Sequence, residues 1–230
     1  MVTIALIPAR GNSKGIARKN IKLFNSKPLI YWSIQTALKS NCIDRVVVTT
    51  EDEEIANIAR SYSAEVPFLR PEELSKDDSP GIDPVIHALE QMPEVQEVLL
   101  LQPTSPFRQT KHIKEIFSLR KKWNADSAVS ISKSKKHFDL FFKMNSDYQI
   151  IPYSKDFKAL PRQKYSDIFT LNGSLYLSSR ESIFTHKSFF PPKTIGYLMS
   201  EEYSLDIDSK FDWEIAEFIM AKYLKNDQQK

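Results

Sequence analysis

The chain of 230 residues carries a formal net charge of +3, with 41% hydrophobic and 27% charged residues, which are the values of an ordinary globular domain. So small a charge does not by itself imply nucleic-acid binding, and the single cysteine, Cys42, excludes an intrachain disulfide framework and fits a reducing compartment. No run approaches the roughly 20 apolar residues of a membrane span, and Met1-Val2-Thr3-Ile4 lacks a basic leader, so a cytoplasmic protein of one large α/β domain, 1–230, is expected.

Val-, Ile- and Leu-rich runs at 4–7, 45–50 and 97–101 read as buried strands. Between them lie segments with helical spacing: Ile30, Ile34, Ala37 and Leu38 share one face, as do Ile55, Ile58, Ala59 and Tyr62. A helix over 110–122, with Ile113, Ile116 and Phe117, precedes a strand through Ala128-Val129-Ser130-Ile131. From Lys133 to Asp167 the alternation lapses into a Lys-, Phe- and Tyr-rich stretch without period, too long for an ordinary loop, which reads as an excursion from the domain. Strand patterns resume at Phe169–Ser178 and Ile195–Met199, and a helix from about Lys210 to Leu224 buries Ala216, Ile219, Met220 and Tyr223. The whole predicts a doubly wound, mostly parallel α/β sheet that binds ligands at the carboxyl ends of its strands.

The loop after the first strand, Pro8-Ala9-Arg10-Gly11-Asn12-Ser13-Lys14-Gly15-Ile16-Ala17-Arg18-Lys19-Asn20, holds two of only five glycines and four basic residues. Pliable backbone N–H groups beside Arg10, Lys14, Arg18 and Lys19 suit a polyphosphate. The spacing matches neither the Walker loop nor the dinucleotide fingerprint, so side-chain cations must do what a helix N-terminus does in those motifs. Asp206 and Asp208, one residue apart at an expected strand end, point to one side. With a triphosphate nearby they suit Mg²⁺, the alternative being a solvated acidic turn. Arg70 follows a strand-like apolar segment, Val66-Pro67-Phe68-Leu69, and precedes a proline, so a fixed backbone displays its side chain; pairing with Glu72 or Glu73 is the structural reading. Gln102 ends a buried strand with an amide suited to a sugar hydroxyl or N-acyl group. Asn172 and Tyr176 with Phe189 and Phe190 form an acyl pocket or simply part of the core. The four histidines lack metal-ligand spacing, and Ser105 lacks a hydrolase elbow.

These motifs resemble those of the cytidylyltransferases that activate nine-carbon acidic sugars, the CMP-sialic acid synthetase family with its CMP-legionaminic acid members. The first loop carries Ile-Pro-Ala-Arg, Ser13-Lys14 and Lys19-Asn20. Leu69-Arg70-Pro71-Glu72-Glu73-Leu74, Leu101-Gln102-Pro103-Thr104-Ser105-Pro106-Phe107-Arg108, Asn172-Gly173-Ser174-Leu175-Tyr176 and Asp206-Ile207-Asp208 follow in the family's order. The resemblance implies a Rossmann-like nucleotide-diphospho-sugar transferase fold in which 133–167 is a small dimerisation subdomain of a homodimer. It implies that CTP and a nonulosonic acid are the substrates, that CMP passes to the sugar's anomeric hydroxyl, and that Asp206 and Asp208 bind Mg²⁺, or Mn²⁺.

On the same basis Lys19 is the most critical cation, acting with Arg10 and Lys14; Ser13 and Asn20 assist, Ala9, Gly11 and Asn12 complete the nucleotide loop, and Arg70 contacts the nucleotide. Asp77-Asp78-Ser79-Pro80-Gly81 stands where the family has a serine-rich turn, leaving Ser79 and the Gly81 backbone as candidate phosphate donors. Arg162, with Gln163 beside it, is expected to grip the sugar carboxylate across the dimer interface, since arginine binds a carboxylate through two parallel hydrogen bonds. The alternatives are the same reaction on legionaminic or another bacterial nonulosonic acid, a synthetase for an eight-carbon acid, and a non-catalytic nucleotide-binding module. A nucleic-acid-binding module, resting only on Lys133-Ser134-Lys135-Lys136, is the remaining rival.

Overall fold

Six strands form the central sheet of the computed structural model, which describes residues 1–227 apart from Asp156, 158–160 and 162–163, with backbone alone from 223 onward. Strand β1 (Val2–Pro8) pairs in parallel with β4 (Arg45–Thr49) and β5 (Val95–Leu100). Beyond β5 lie β9 (Phe169–Ser179), β6 (Ser127–Lys133) and β10 (Thr194–Leu198), giving the order β10-β6-β9-β5-β1-β4. β9 runs antiparallel to both neighbours, an orientation the hydrophobic pattern did not reveal, because alternation reports which face is buried and not which way the strand points. That reversal brings the first half of β9 to the carboxyl ends of β5 and β6.

The strands bury both faces. Helices α1 (Leu29–Leu38), α2 (Glu53–Ser61) and α4 (Thr110–Lys122) set Ile30, Ile34, Ile55, Ala59, Ile113 and Ile116 against Ala5, Ile7, Val48 and Leu99. On the other face α3 (Asp83–Gln91) and α5 (Arg180–His186) place Val85, Leu89 and Ile183 on Ile4, Leu6 and Val98. Neither α3 nor α5 was anticipated, although Pro84 in the first turn and the Val85, Ala88, Leu89 spacing are legible helix signals.

A third cluster stands at the carboxyl edge. Phe24 sits on a tight hairpin of β2 (Leu23–Phe24) and β3 (Lys27–Pro28), whose turn residues Asn25 and Ser26 both take positive φ. Its ring meets Trp32, Phe107 and Trp213 edge-on at 6.2, 6.3 and 5.5 Å. The closing helix α6 (Lys210–Asp227) docks there through Trp213, Ala216 and Met220, with Ile219 half-buried as expected; the Tyr223 side chain lies outside the described residues.

Two expectations change. Val66–Leu69 is not a strand: only Glu65 makes a bridge, to Val47. The 133–167 stretch is not featureless, since β7 (Phe142–Met144) and β8 (Ile150–Pro152) pair as an antiparallel hairpin arm. Among the described residues no helix is long and apolar enough to cross a membrane.

Candidate active site

The carboxyl edge opens into a cleft of about 590 Å³ lined by Arg10, Lys14, Lys19, Gln102, Asp206 and Asp208, among others. The first loop forms one wall. Ala9 donates its N–H to the Thr49 carbonyl (3.0 Å), and the Asn20 amide donates to the Arg10 carbonyl (2.9 Å), so Asn20 shapes the loop from within. Gly15 lies so close to the 206–208 segment that a Cβ there would sit 2.2 Å from the Asp208 carbonyl oxygen. Lys19 spans the same junction, donating to the Ile207 carbonyl at 2.8 Å and to Asp208 Oδ1 at 3.1 Å.

The 206–208 segment lies outside the sheet, contrary to the expected strand end. Its extended course is pinned by the Ile207 N–H on the Thr104 carbonyl (2.9 Å) and by burial of Ile207 in the third cluster. Both flanking carboxylates therefore still face the cleft. They differ sharply: Asp208 is exposed, whereas Asp206 is largely buried and its Oδ1 has no hydrogen-bond partner. Burial pushes the Asp206 carboxyl up from the usual range, and the Asp208 charge adds to this, against a Thr104 hydrogen bond and the charges of Lys19 and Arg108. Among the described residues no three acidic, histidine or cysteine side chains gather as a metal cluster. The pair offers hard oxygen donors, one of them unpartnered, and any further oxygens must come from a ligand.

Arg10 and Lys14 reach into the cleft and meet Asp77, which accepts from Arg10 at 2.7 Å through one oxygen and from Lys14 at 2.9 Å through the other. The hydrogen bond from Lys14, then that from Arg10, holds the Asp77 carboxyl below its usual range. Arg18, counted among the loop cations, turns away to Asp52 and Glu54 at the start of α2. Gly11, Asn12 and Ser13 remain on the loop; Ser13 lines this cleft, and Gly11 and Asn12 face a neighbouring hollow that shares Arg10 and Asp77 with it.

Arg70 borders the cleft, but its partner is Glu51 (2.9 Å) rather than Glu72 or Glu73, and its side chain is only 3% exposed. Ser79 and Gly81 also line the cleft. The Ser79 hydroxyl donates to the Glu73 carbonyl (2.7 Å), and space at Gly81 is open.

On the far wall Gln102 follows β5. Arg108, whose guanidinium is fully buried, donates to the Gln102 carbonyl and, at 3.0 Å, to the Ser105 carbonyl, so the motif's arginine clamps the turn that displays Gln102. A bulge in β9 supplies the rest. The register against β6 shifts between Val129 and Ile131, and Gly173 there takes φ +71, where a Cβ would stand 2.7 Å from Gln102 Oε1 and 3.3 Å from Asp206. The Asn172 side chain, assigned above to the acyl pocket, is engaged in holding this bulge: Oδ1 accepts from Ser130 (2.6 Å) and the amide donates to Ser204 (2.9 Å).

Tyr176 does gather with Phe189 and Phe190, at ring separations of 5.6 and 6.4 Å. Phe189 is core and Phe190 exposed. Burial, aided by the Asp206 charge, raises the Tyr176 hydroxyl pKa, but none of the three rings lines the cleft itself. Arg162 and Gln163 lie outside the described residues. The residues the sequence reading missed are Glu51, Asp77, Thr104 and Arg108. Three of them stood inside quoted motifs, and Glu51 was signalled only by its place just beyond the carboxyl end of β4.

A cavity of about 650 Å³ at the root of the hairpin arm is the competing location. Among the described residues its lysines and carboxylates are already matched, Lys133 with Asp167 and Lys135 with Glu201.

A family model described as cytidylyltransferase matches residues 4–225. The chain is 34% identical over 98% of its length to the N-acylneuraminate cytidylyltransferase of Escherichia coli, of which it spans only 53%. It is 35% identical over 96% of its length to the CMP-N,N'-diacetyllegionaminic acid synthase of Legionella pneumophila, spanning 97% of that protein. A solved CMP:2-keto-3-deoxy-manno-octonic acid synthetase, complexed with CTP, superposes with a TM-score of 0.75 over 97% of this chain and 100% of its own, at 14% identity, a likeness of fold.

Proposed function

Because the chain belongs to the cytidylyltransferase family, we propose that it transfers CMP from CTP to the anomeric hydroxyl of a sialic-type nonulosonic acid, releasing pyrophosphate. The supporting observation is the convergence of Arg10, Lys14 and Lys19 with Asp206 and Asp208 on one cleft whose far wall carries Gln102. In the reaction the hydroxyl oxygen bonds to the α-phosphorus and its proton passes to solvent, the bond from the α-phosphorus to the β-phosphate oxygen breaks, and pyrophosphate leaves with the electron pair. Such chemistry asks for positioning and charge stabilisation rather than an acid or base. Arg10, Lys14 and Lys19 hold the triphosphate and neutralise the leaving group. Asp206 and Asp208 would hold Mg²⁺, or Mn²⁺, which when bound polarises phosphate oxygens. Gln102 orients the sugar, and Tyr176 with Phe190 lies beside its acyl group. Mass-spectrometric detection of a CMP-sugar from CTP and N-acetylneuraminic or legionaminic acid tests the reading. The two relatives are equally similar to this chain, so both acids belong in the assay.

Asp77 occupies the cations assigned to phosphate, so CTP must displace it. Both pairs are solvent-exposed, which keeps the expected effect small: Asp77→Asn should tighten CTP binding by roughly threefold at low salt and by less at high salt. Calorimetric titration measures this, and weaker binding in the variant would show Asp77 to be a ligand rather than a competitor.

The assembly is proposed to be a homodimer in a cytoplasmic setting, with Arg162 of each protomer reaching the sugar carboxylate in its neighbour's site. On the arm Phe141, Met144, Ile150 and Tyr153 are exposed by 49, 64, 63 and 58%, an apolar surface that a second subunit would cover. Sedimentation should show a dimer at micromolar concentration; a monomer would remove both the interface and the shared arginine.

A further inference from the structure

We infer that Glu51 is a positioning residue for the nucleotide: one carboxylate, standing behind the cleft wall, ties the phosphate loop to the segment that carries Arg70 and Ser75. The inference rests on reading the cleft as the CTP site. Glu51 lies just beyond β4 and is 14% exposed. It is absent from the cleft lining and faces the hollow shared with Gly11, Asn12 and Ser75. Its Oε1 accepts the Gly11 N–H at 2.7 Å. Its Oε2 accepts from Arg70 at 2.9 Å and from the Ser75 hydroxyl at 2.8 Å, while Arg70 Nε donates to the same hydroxyl at 2.9 Å. The Arg70 N–H is fixed on the Thr50 carbonyl at 2.8 Å.

Three consequences follow for the cleft. The Gly11 N–H is drawn inward, which sets the direction from which Arg10 projects. Arg70 is a buried cation with Arg10 as a like-charged neighbour, and burial and then Arg10 depress its pKa against the opposing effect of Glu51. Without that carboxylate, two facing arginines would repel across the phosphate site. Ser75, the third partner, roots the segment that runs on to Asp77, Ser79 and Gly81 on the cleft wall. A buried acid beside a polyanion site is otherwise unfavourable for binding, and here the cations and N–H groups it organises offset that cost.

The test is steady-state kinetics on Glu51→Gln, with Glu51→Asp as the charge-keeping variant and as the fallback if the first fails to fold. Glu51→Gln should raise KM for CTP by about tenfold and leave KM for the sugar acid within about twofold, because only the nucleotide wall loses its tie. Glu51→Asp should fall between Gln and wild type. In an Arg70→Ala background the Glu51→Gln effect should shrink, since both act through one network. An unchanged or lower KM for CTP in both variants, or an equal rise for both substrates, overturns the inference while wild-type CTP binding keeps the nucleotide reading intact. Absence of saturable CTP binding in the wild-type protein would overturn both.

Discussion

Lys19→Met is expected to lower kcat/KM by about 10²- to 10³-fold while leaving the fold in place, the size of loss seen when one preorganised donor is removed from a charge-stabilising site. Lys19 is 13% exposed at its side chain and bonds to the Ile207 carbonyl and Asp208. It thus joins the first loop to the carboxylate segment, and its charge lies in the cleft proposed to take the triphosphate. Removing it leaves a backbone carbonyl short of one donor, a cost of about 1–3 kcal/mol that thermal denaturation would show as a modest shift. Activity should fall far more than stability. Lys19→Arg should rescue poorly, because a planar fork does not replace a compact ammonium held between two acceptors. Near-normal turnover in Lys19→Met would mean that this lysine is only a strut.

Asp206→Asn should cut turnover by roughly 10²-fold or more, and EDTA should abolish activity of the parent protein. The accompanying stability change has the opposite sign. The Asp206 carboxyl is raised by burial and by Asp208, so the folded state binds its proton more tightly than the unfolded chain does. By linkage, stability falls as pH rises from the unfolded to the folded pKa, and above the folded pKa the cost of ionisation is fully present. Asparagine removes that cost. The variant should therefore melt at the same temperature as the parent or higher, although it is nearly inactive, and the parent should lose activity on acidification sooner than an ordinary carboxylate would dictate. Scanning calorimetry beside the kinetics checks both halves; a destabilised but active Asp206→Asn protein would contradict them. Asp208→Asn, at an exposed position, should also lose turnover by roughly 10²-fold with little change in stability.

Local signals carried much of this molecule. The apolar runs of β1, β4 and β5 and the spacing of Ile113 and Ile116 stated their own elements, and the glycine-bearing basic loop marked one wall of the cleft. What stayed hidden depended on long-range partners. The direction of β9 is set by its neighbours, and with it the bulge that turns Asn172 inward and lets Gly173 approach Gln102 and Asp206. Arg70 has two acidic residues next in line, yet its partner is nineteen positions back, because Thr50 and Glu51 stand at the sheet edge where Arg70 arrives. Arg18 looked like one more loop cation until its positive φ turned it onto Asp52 and Glu54. Asp206 and Asp208 were assigned to one side by strand alternation; they reach it from an extended segment outside the sheet, with Ile207 buried between them.

The most direct measurement is pyrophosphate release with each of CTP, ATP, GTP and UTP, with Mg²⁺, against N-acetylneuraminic acid, legionaminic acid and an eight-carbon ulosonic acid. The account predicts release with CTP and a nine-carbon acid, at a rate at least about tenfold above any other pairing, and loss of that release in Asp206→Asn. Release of equal rate with the eight-carbon acid, or none with any nine-carbon acid in a protein that binds CTP, would contradict it.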